Sequence, residues 1–292
     1  MRILLTGGTG FLGKQLIPLL AKHQILMVGR SVTNLTYENL SYVRGNLADL
    51  IDLEEDIRNF SPEACVHLAW EGIPDYSFSV CLKNFNISIR LYDFLRKVDC
   101  KSIFTAGTCW EYGNLKGQVS ESDIPENMGL FASIKTGLRI SGKNIFDHEG
   151  INFIWGRFFF VYGPGQRGDS LIPSCIQTIN EGKAPLIKNP NSVNDFIHVR
   201  DAASAIASLI ETPDISGVFN IGSGTPTKVA DVYKMICEKM GATFNNPVAE
   251  KTEKASGFWA DLSHINKQIH WTPKISLEEG IQIALNGERN GQ

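Results

Sequence analysis

Paired cysteines and clustered metal ligands are absent from this sequence. Its six cysteines are scattered singly, with no Cys-x-x-Cys pair and no Cys/His cluster: Cys65, Cys81, Cys100, Cys109, Cys175 and Cys237. Such spacing argues against a disulfide framework and against a zinc site, and it is typical of proteins from a reducing compartment. We therefore expect no metal site and a cytoplasmic location.

Long hydrophobic runs and a large excess of either charge are also missing. Only a short apolar stretch precedes the first glycines, too short for a signal peptide. The most apolar later segment, Ile151–Tyr162, is interrupted by Asn152 and Arg157 and is too short to span a bilayer. A formal net charge of −3 offers no general attraction for nucleic acid. We expect neither a membrane nor a nucleic acid as partner.

What the chain does contain is a regular alternation of predicted strands and helices. Its 292 residues suffice for a buried core without covalent cross-links. Short apolar runs bounded by turn residues predict strands at Arg2–Thr6, Ile25–Gly29, Tyr42–Arg44, Ala64–Ala69, Ser102–Ala106 and Asn152–Phe160. Helical periodicity between the runs predicts helices at Phe11–Lys22, Leu50–Phe60, Val80–Val98 and Phe131–Glu149. This order indicates an α/β fold with a Rossmann-type, doubly wound parallel sheet.

The later part of the chain is expected to form a smaller C-terminal lobe. Glycine and proline mark exits from the sheet at Gly163–Gly168 and Lys183–Asn191. We predict a dinucleotide-binding domain over residues 1–162, to which residues 194–222 return. Residues 163–193 and 223–292 are then predicted to form the substrate-binding lobe.

A glycine-rich turn directly follows the first predicted strand. Gly7, Gly10 and Gly13 have the spacing that permits a tight turn, close approach of a pyrophosphate, and close packing of helix on strand. Phe11 and Leu12 open the helix, whose free N–H groups favour phosphate. No Gly-Lys-Ser/Thr follows, which excludes a Walker-type loop. The turn therefore predicts a dinucleotide site.

An early carboxylate is missing, and this bears on the cofactor. In a Rossmann fold, an Asp or Glu at the end of the second strand usually holds the ribose 2′-hydroxyl of NAD. No acidic residue occurs before Glu38, and the second strand ends instead in Arg30-Ser31. A guanidinium and a hydroxyl suit a 2′-phosphate, so NADP(H) is favoured over NAD(H).

Several segments together resemble the extended short-chain dehydrogenases/reductases, the family of NAD(P)-dependent nucleotide-sugar epimerases, dehydratases and 4-ketoreductases. The similarity runs nearly end to end and rests on His67-Leu68-Ala69, Thr105–Gly113 (TAGTCWEYG), Arg157–Gly165 (RFFFVYGPG), Asn194–Asp201 (NDFIHVRD), Phe219–Gly224 (FNIGSG) and Trp271–Gly280 (WTPKISLEEG). The resemblance implies a nucleotide-sugar substrate. It also implies further cofactor contacts from Asn46, Leu47, Leu68, Ala69 and Asn86.

The resemblance implies a catalytic set in which one member differs. The family uses a Ser or Thr hydroxyl, a Tyr as acid/base, and a Lys four residues after the Tyr, on the same helix face. Thr108 and Lys135 occupy two of these positions, and Lys135 also counts as a cofactor contact. The tyrosine position is Phe131, which cannot donate or accept a proton.

Three explanations of Phe131 stay open. The natural protein uses another acid, or the phenylalanine is a deliberate replacement of tyrosine that inactivates the enzyme and traps its substrate, or the chain is a non-catalytic dinucleotide-binding protein. Retention of Thr108 and Lys135 favours the second explanation.

The residues after Thr108 bear on the reaction. Dehydratases of the family follow this Thr with Asp-Glu, whereas this chain has Cys109-Trp110. Dehydration therefore lacks its catalytic pair. The remaining reactions are reduction of a keto group and, as the alternative, 4-epimerisation. The absent early carboxylate favours an NADPH-dependent 4-ketoreductase acting on a nucleotide-linked 4-keto-(6-deoxy) sugar.

Substrate contacts and assembly complete the predictions. Glu111, Tyr112, Arg167 and Asn194 are the predicted substrate contacts, with Lys254 as an alternative cation. The predicted helix from Val80 to Leu95 is apolar around most of its circumference, which requires burial on more than one side. Related enzymes often pair this helix across a dimer interface, so we predict a homodimer.

Overall fold

The computed structural model describes residues 1–30, 35–245 and 256–289. Within these residues the strands are β1 (Arg2–Thr6), β2 (Gln24–Gly29), β3 (Leu40–Arg44), β4 (Ala64–His67), β5 (Ser102–Ala106), β6 (Gly117–Val119), β7 (Asn152–Phe158), β8 (Phe160–Tyr162), β9 (Ser192–His198), β10 (Gly217–Ile221), β11 (Pro226–Lys228) and β12 (Ser256–Ala260).

The helices alternate with these strands. They are α1 (Phe11–Leu16), α2 (Glu54–Phe60), α3 (Phe78–Lys97), α4 (Leu130–Asp147), α5 (Leu171–Asn180), α6 (Val199–Glu211), α7 (Val229–Met240), α8 (Ser263–Ile269) and α9 (Leu277–Arg289). Short 3₁₀ turns cover Ile17–Leu20, Leu47–Leu53 and Cys109–Tyr112. Over the described part of the chain, no helix is both long and apolar enough to cross a bilayer.

Seven strands form one sheet in the order β10-β7-β5-β4-β1-β2-β3. The central pairs are parallel, with β1 between β2 and β4. The strand order reverses direction at β1, and the groove beside the carboxyl ends of β1 and β4 is where such folds bind ligands. The sheet confirms the Rossmann-type fold predicted from the sequence.

The first helix is shorter than the predicted Phe11–Lys22. The α-helix ends at Leu16, and a 3₁₀ turn continues the chain over Ile17–Leu20. Pro18 lies at the start of that turn, and it has no N–H to donate to the carbonyl of Lys14. The missing bond explains why the helical geometry changes at this point.

The chain divides into two compact units whose boundaries differ from the predicted ones. The first comprises Met1–Asn114, Ile124–Arg157 and Ala203–Phe219, and the second comprises the remaining segments. The chain thus returns to the first unit at residue 203 and not at residue 194. The reason is that β9 pairs with β8, β11 and β12 in a second sheet and not with the large one.

Within the second unit, a buried carboxylate joins three backbone segments. Asp195 is fully buried, and its oxygens accept hydrogen bonds from the backbone N–H groups of Ser223, Gly224 and Ala260 at 2.6, 2.9 and 3.0 Å. The Ser223 hydroxyl donates a further bond at 2.7 Å. The Asn-Asp-Phe-Ile-His segment is therefore a structural element of this unit.

Candidate functional site

The glycine-rich turn brings three pieces of backbone into close approach. Gly7 has a φ of +75°, and a Cβ there would lie 2.7 Å from the Ala69 nitrogen, at the end of β4. A Cβ at Gly13 would lie 2.4 Å from the Gly7 carbonyl oxygen. The Gly10 N–H donates to that same oxygen at 3.0 Å. Only glycine fits at positions 7 and 13, and the resulting bare turn at a helix start suits a pyrophosphate.

A cleft of about 260 Å³ opens over this turn in the first unit. Seven of the predicted cofactor residues line it: Gly7, Gly10, Arg30, Asn46, Leu47, Leu68 and Ala69. Phe11, Leu12 and Gly13 lie in the first turn of α1, where the N–H groups have no intrahelical acceptor. The residues that line the cleft thus suit a dinucleotide.

The asparagine of helix α3 needs a correction. Asn86, the predicted contact, is exposed, whereas Asn84 is buried and lines the cleft. Asn84 Nδ2 donates to the Glu71 carbonyl oxygen at 2.9 Å, and its Oδ1 accepts from the Glu71 N–H at 2.7 Å. Two positions along a helix correspond to about 200° of rotation, so the two amides face opposite ways.

Arg30 lies at the cleft, as predicted, but its guanidinium has a partner. Its Nη1 is 2.7 Å from Glu71 Oε1, and Lys83 Nζ is 2.8 Å from Glu71 Oε2. The hydrogen bond and charge of Lys83, together with Arg30, lower the pKa of Glu71. Glu71 was not predicted from the sequence, although its position just after His67-Leu68-Ala69 was a usable signal. Ser31 lies outside the described residues.

Lys135 is buried beside the carboxyl end of β5. Its Nζ donates to the Ala106 carbonyl oxygen at 2.8 Å and lies 3.8 Å from the centre of the Trp70 ring. Burial lowers the pKa of Lys135 to about 7, and the charge of Glu111 opposes this shift. A lysine in this state exchanges its proton near neutral pH.

Phe131 lies among aromatic rings in the first turn of α4. Its ring centre is 5.4 Å from that of Trp70, 4.8 Å from that of Tyr76 and 5.8 Å from that of Trp110. Tyr76, Trp110 and Phe131 line a pocket of about 340 Å³. Lys135 Nζ is 5.9 Å from the centre of the Phe131 ring. The structure therefore brings the predicted lysine and the family's tyrosine position together beside an apolar pocket.

Thr108 begins the 3₁₀ turn that follows β5. Its Oγ1 accepts a hydrogen bond from the Trp110 N–H at 3.2 Å, and its own N–H donates to Glu111 Oε1 at 3.1 Å. This reciprocal arrangement is a capping box, which satisfies two N–H groups and holds the threonine backbone in place. Among the described residues Oγ1 acts only as an acceptor, so the hydroxyl keeps its proton available for donation.

Glu111 and Tyr112, predicted as substrate contacts, are instead fully buried. Glu111 accepts a hydrogen bond from Trp155 Nε1 at 2.8 Å and from Arg157 Nε at 3.1 Å. Arg139 Nε lies 3.4 Å from the same carboxylate. The Arg157 guanidinium also covers the Tyr112 ring at 4.5 Å. Both side chains thus face the interior, and Glu111 supports the Thr108 turn.

Two other groups near the site serve the structure. His67 lies between Thr6 Oγ1 at 2.7 Å and Ser88 Oγ at 2.9 Å. Burial, helped by the charge of Lys135, lowers the pKa of His67 to about 3, so the ring is neutral. Cys109 is buried, in agreement with a packed thiol and not an exposed nucleophile.

The remaining predicted substrate contacts belong to the second unit. Arg167 is about half exposed and pairs with Asp169 at 3.5 Å. Asn194 lies in β9 opposite Thr227 of β11. His198, which was not among the predicted contacts, ends the same strand; it is fully buried, and burial lowers its pKa to about 4. Lys254 lies outside the described residues.

The parallel sheet and the cleft over the glycine-rich turn are typical of Rossmann-type dinucleotide-binding proteins. Comparison with known protein families narrows this class. The model of the NAD dependent epimerase/dehydratase family matches residues 3–222. The chain therefore belongs to the NAD dependent epimerase/dehydratase family.

Individual relatives span the whole chain at low identity. The dTDP-4-dehydro-6-deoxyglucose reductase of Escherichia coli is 26% identical, over 98% of this chain and 97% of its own. The UDP-glucose 4-epimerase of Thermotoga maritima, solved with UDP-glucose, has a TM-score of 0.88 at 24% identity, over 99% of both chains. The dTDP-glucose 4,6-dehydratase of Bacillus anthracis, solved with NAD, has a TM-score of 0.87 at 22% identity, over 100% of this chain and 97% of its own.

Proposed function

We propose that this protein reduces the keto group of a nucleotide-linked 4-keto-6-deoxy sugar with NADPH. The observation that carries the proposal is the position of Arg30, a cation at the cleft where β2 ends without a carboxylate. A cation there suits the 2′-phosphate of NADPH, which net reduction consumes. Similarity to the reductase of Escherichia coli supports the same class of substrate.

Each group of the site has a part in this chemistry. NADPH supplies the hydride when bound. The turn from Gly7 to Gly13 would hold the pyrophosphate through backbone N–H groups. Thr108 donates its hydroxyl proton to the sugar oxygen, and Lys135 supplies positive charge near it. Phe131 forms an apolar wall and has no proton to donate. Thr108 would therefore donate the proton to the sugar oxygen and recover one from water.

The second candidate is a nucleotide-sugar 4-epimerase that uses NAD(H). The observation in its favour is Glu71, a carboxylate that lines the same cleft as Arg30. A carboxylate there can accept a hydrogen bond from a ribose hydroxyl and repels a 2′-phosphate. A non-catalytic dinucleotide-binding protein is the third candidate, and Phe131 is the observation that favours it.

The test is a panel of nucleotide-linked 4-keto-6-deoxy sugars offered with NADPH to the protein and to Phe131→Tyr. We expect one member to be reduced with stoichiometric loss of NADPH absorbance. Interconversion of two sugars without net NADPH loss identifies the epimerase instead. Binding of NADPH without turnover by either protein identifies the binding protein.

The cofactor choice has its own test. We expect NADPH to bind at least about tenfold more tightly than NADH, because charge-assisted bonds to a phosphate contribute about 1.5–3 kcal/mol. The Arg30→Asp variant should prefer NADH, since the new carboxylate repels the 2′-phosphate. Fluorescence titration with both reduced cofactors measures this, and equal affinities in the unchanged protein contradict the assignment.

A further inference from the structure

The ion pair between Arg30 and Glu71 crosses the cofactor cleft. Arg30 follows β2 and Glu71 lies beyond the end of β4, and β1 lies between these two strands. Both side chains line the same cleft as Gly7 and Gly10. A contact of 2.7 Å between them therefore spans the carboxyl end of β1, where the glycine-rich turn begins.

The two ends of this pair are held very differently. The backbone of Glu71 is fixed on both sides by the buried amide of Asn84, at 2.7 and 2.9 Å. The side chain of Glu71 is one third exposed and also binds Lys83 at 2.8 Å. The Arg30 carbonyl accepts a single, longer hydrogen bond from Arg44 Nε at 3.3 Å among the described residues, and 62% of the Arg30 side chain is exposed. Arg30 is accordingly the partner that can swing away at low cost.

We propose that Glu71 acts as a clasp that holds Arg30 across the cleft until the 2′-phosphate of NADPH displaces it, and that this clasp limits the preference for NADPH over NADH. The inference rests on the cofactor site of the proposed function. The 2′-phosphate of NADPH replaces the Glu71 carboxylate as the anion bound to Arg30. The 2′-hydroxyl of NADH carries no charge and cannot replace the carboxylate, so NADH binds with the ion pair in place.

Removing the charge of Glu71 tests the clasp directly. In Glu71→Gln, the ion pair is lost and Arg30 is free before the cofactor arrives. We expect the Kd for NADPH to fall at least about fivefold, which corresponds to roughly 1 kcal/mol. The Kd for NADH should fall less. Fluorescence titration of the purified protein measures both values and needs no sugar substrate.

A double-mutant cycle shows whether the effect runs through Arg30. The gain from Glu71→Gln should vanish in an Arg30→Ala background, because no guanidinium is left to release. A gain that persists there means that Glu71 acts by simple charge repulsion, and it overturns the clasp. An unchanged or weaker NADPH affinity in Glu71→Gln also overturns it.

The matched control removes an equivalent carboxylate elsewhere in the same unit. Glu211 likewise pairs with two basic groups, Lys22 at 2.8 Å and His23 at 2.9 Å, and it does not line the cofactor cleft. Glu211→Gln should leave both affinities unchanged. The clasp is thus tested by the ratio of the Kd for NADPH in the variant to that in the unchanged protein. The cofactor of the proposed function is tested separately, by the ratio of the Kd values for NADPH and NADH in the unchanged protein.

Discussion

At the scale of single residues, Phe131 is the position where we expect a substitution to affect the chemistry most. It lies four residues before Lys135 on α4, and the retained ring keeps its contacts with Trp70, Tyr76 and Trp110. We expect Phe131→Tyr to raise the rate of the chemical step at least about a hundredfold, because a positioned acid contributes about 10²–10⁴-fold. Single-turnover kinetics measure the rate, and substrate affinity should change little, since only one oxygen is added.

The same variant has an internal check. Phe131→Tyr combined with Lys135→Gln should lose most of the gain, because the ammonium no longer lowers the pKa of the new phenol. If Phe131→Tyr leaves the rate unchanged while Thr108→Ala abolishes turnover, the acid lies elsewhere. A proton route through Thr108 and water is then the explanation to pursue.

We expect Lys135 to make the reaction of the unchanged protein sensitive to pH. Because burial lowers the pKa of Lys135 to about 7, the ammonium is present below that pH and is lost as pH rises through it. If the positive charge stabilises the oxygen anion, the residual rate should fall as pH rises from about 6 to 8. A rate profile that is flat over this range would show that the charge of Lys135 has no part in the chemical step.

At the scale of elements, the turn after β5 depends on a buried charge network. Glu111 is the carboxylate that faces Arg157, Arg139 and the Thr108 N–H. Glu111→Gln keeps the shape but leaves two guanidinium groups without their counter-charge, and it should destabilise the fold by about 3–5 kcal/mol. Chemical denaturation measures the free energy of unfolding.

The matched control is a carboxylate on the surface. Glu238 pairs with Lys234 at 3.9 Å, and both side chains are more than half exposed. Glu238→Gln should change the free energy of unfolding by less than about 0.5 kcal/mol, as exposed pairs generally do. Equal effects of the two substitutions would show that burial of Glu111 adds nothing to its contribution.

The elements also show which structural features could be predicted from local sequence and which could not. The glycine spacing predicted the turn after β1 because the constraint is local to seven residues. Which asparagine of α3 faces the cleft, Asn84 or Asn86, was not predictable in the same way. An apolar helix such as α3 gives no clear periodicity, so the face that meets the cleft depends on how the helix packs on the sheet.

At the scale of the whole molecule, exposed apolar side chains support the predicted homodimer. Phe78 and Leu82 of α3 are 60% and 38% exposed, and Leu130 and Ile140 of α4 are 44% and 50% exposed. The two helices pack against each other. We expect sedimentation to find a dimer at micromolar concentration. Leu82→Glu with Ile140→Asp should give a folded monomer, because charges are costly in an apolar interface.

A control variant separates the interface from general surface effects. Ile124 is 84% exposed and lies outside the helices, so Ile124→Asp should leave the dimer intact. A monomer in the unchanged protein contradicts the prediction.

The sequence by itself determined the fold class, the glycine-rich turn after β1 and the spacing of Phe131 and Lys135. Each of these depends on residues close together along the chain, where side-chain type directly restricts backbone geometry. Only the tertiary structure showed that Glu71 holds Arg30, and that Glu111 is buried. Those contacts join residues 41 and 46 positions apart, Arg30 with Glu71 and Glu111 with Arg157. Their geometry depends on which strands become neighbours, and no local pattern records that choice.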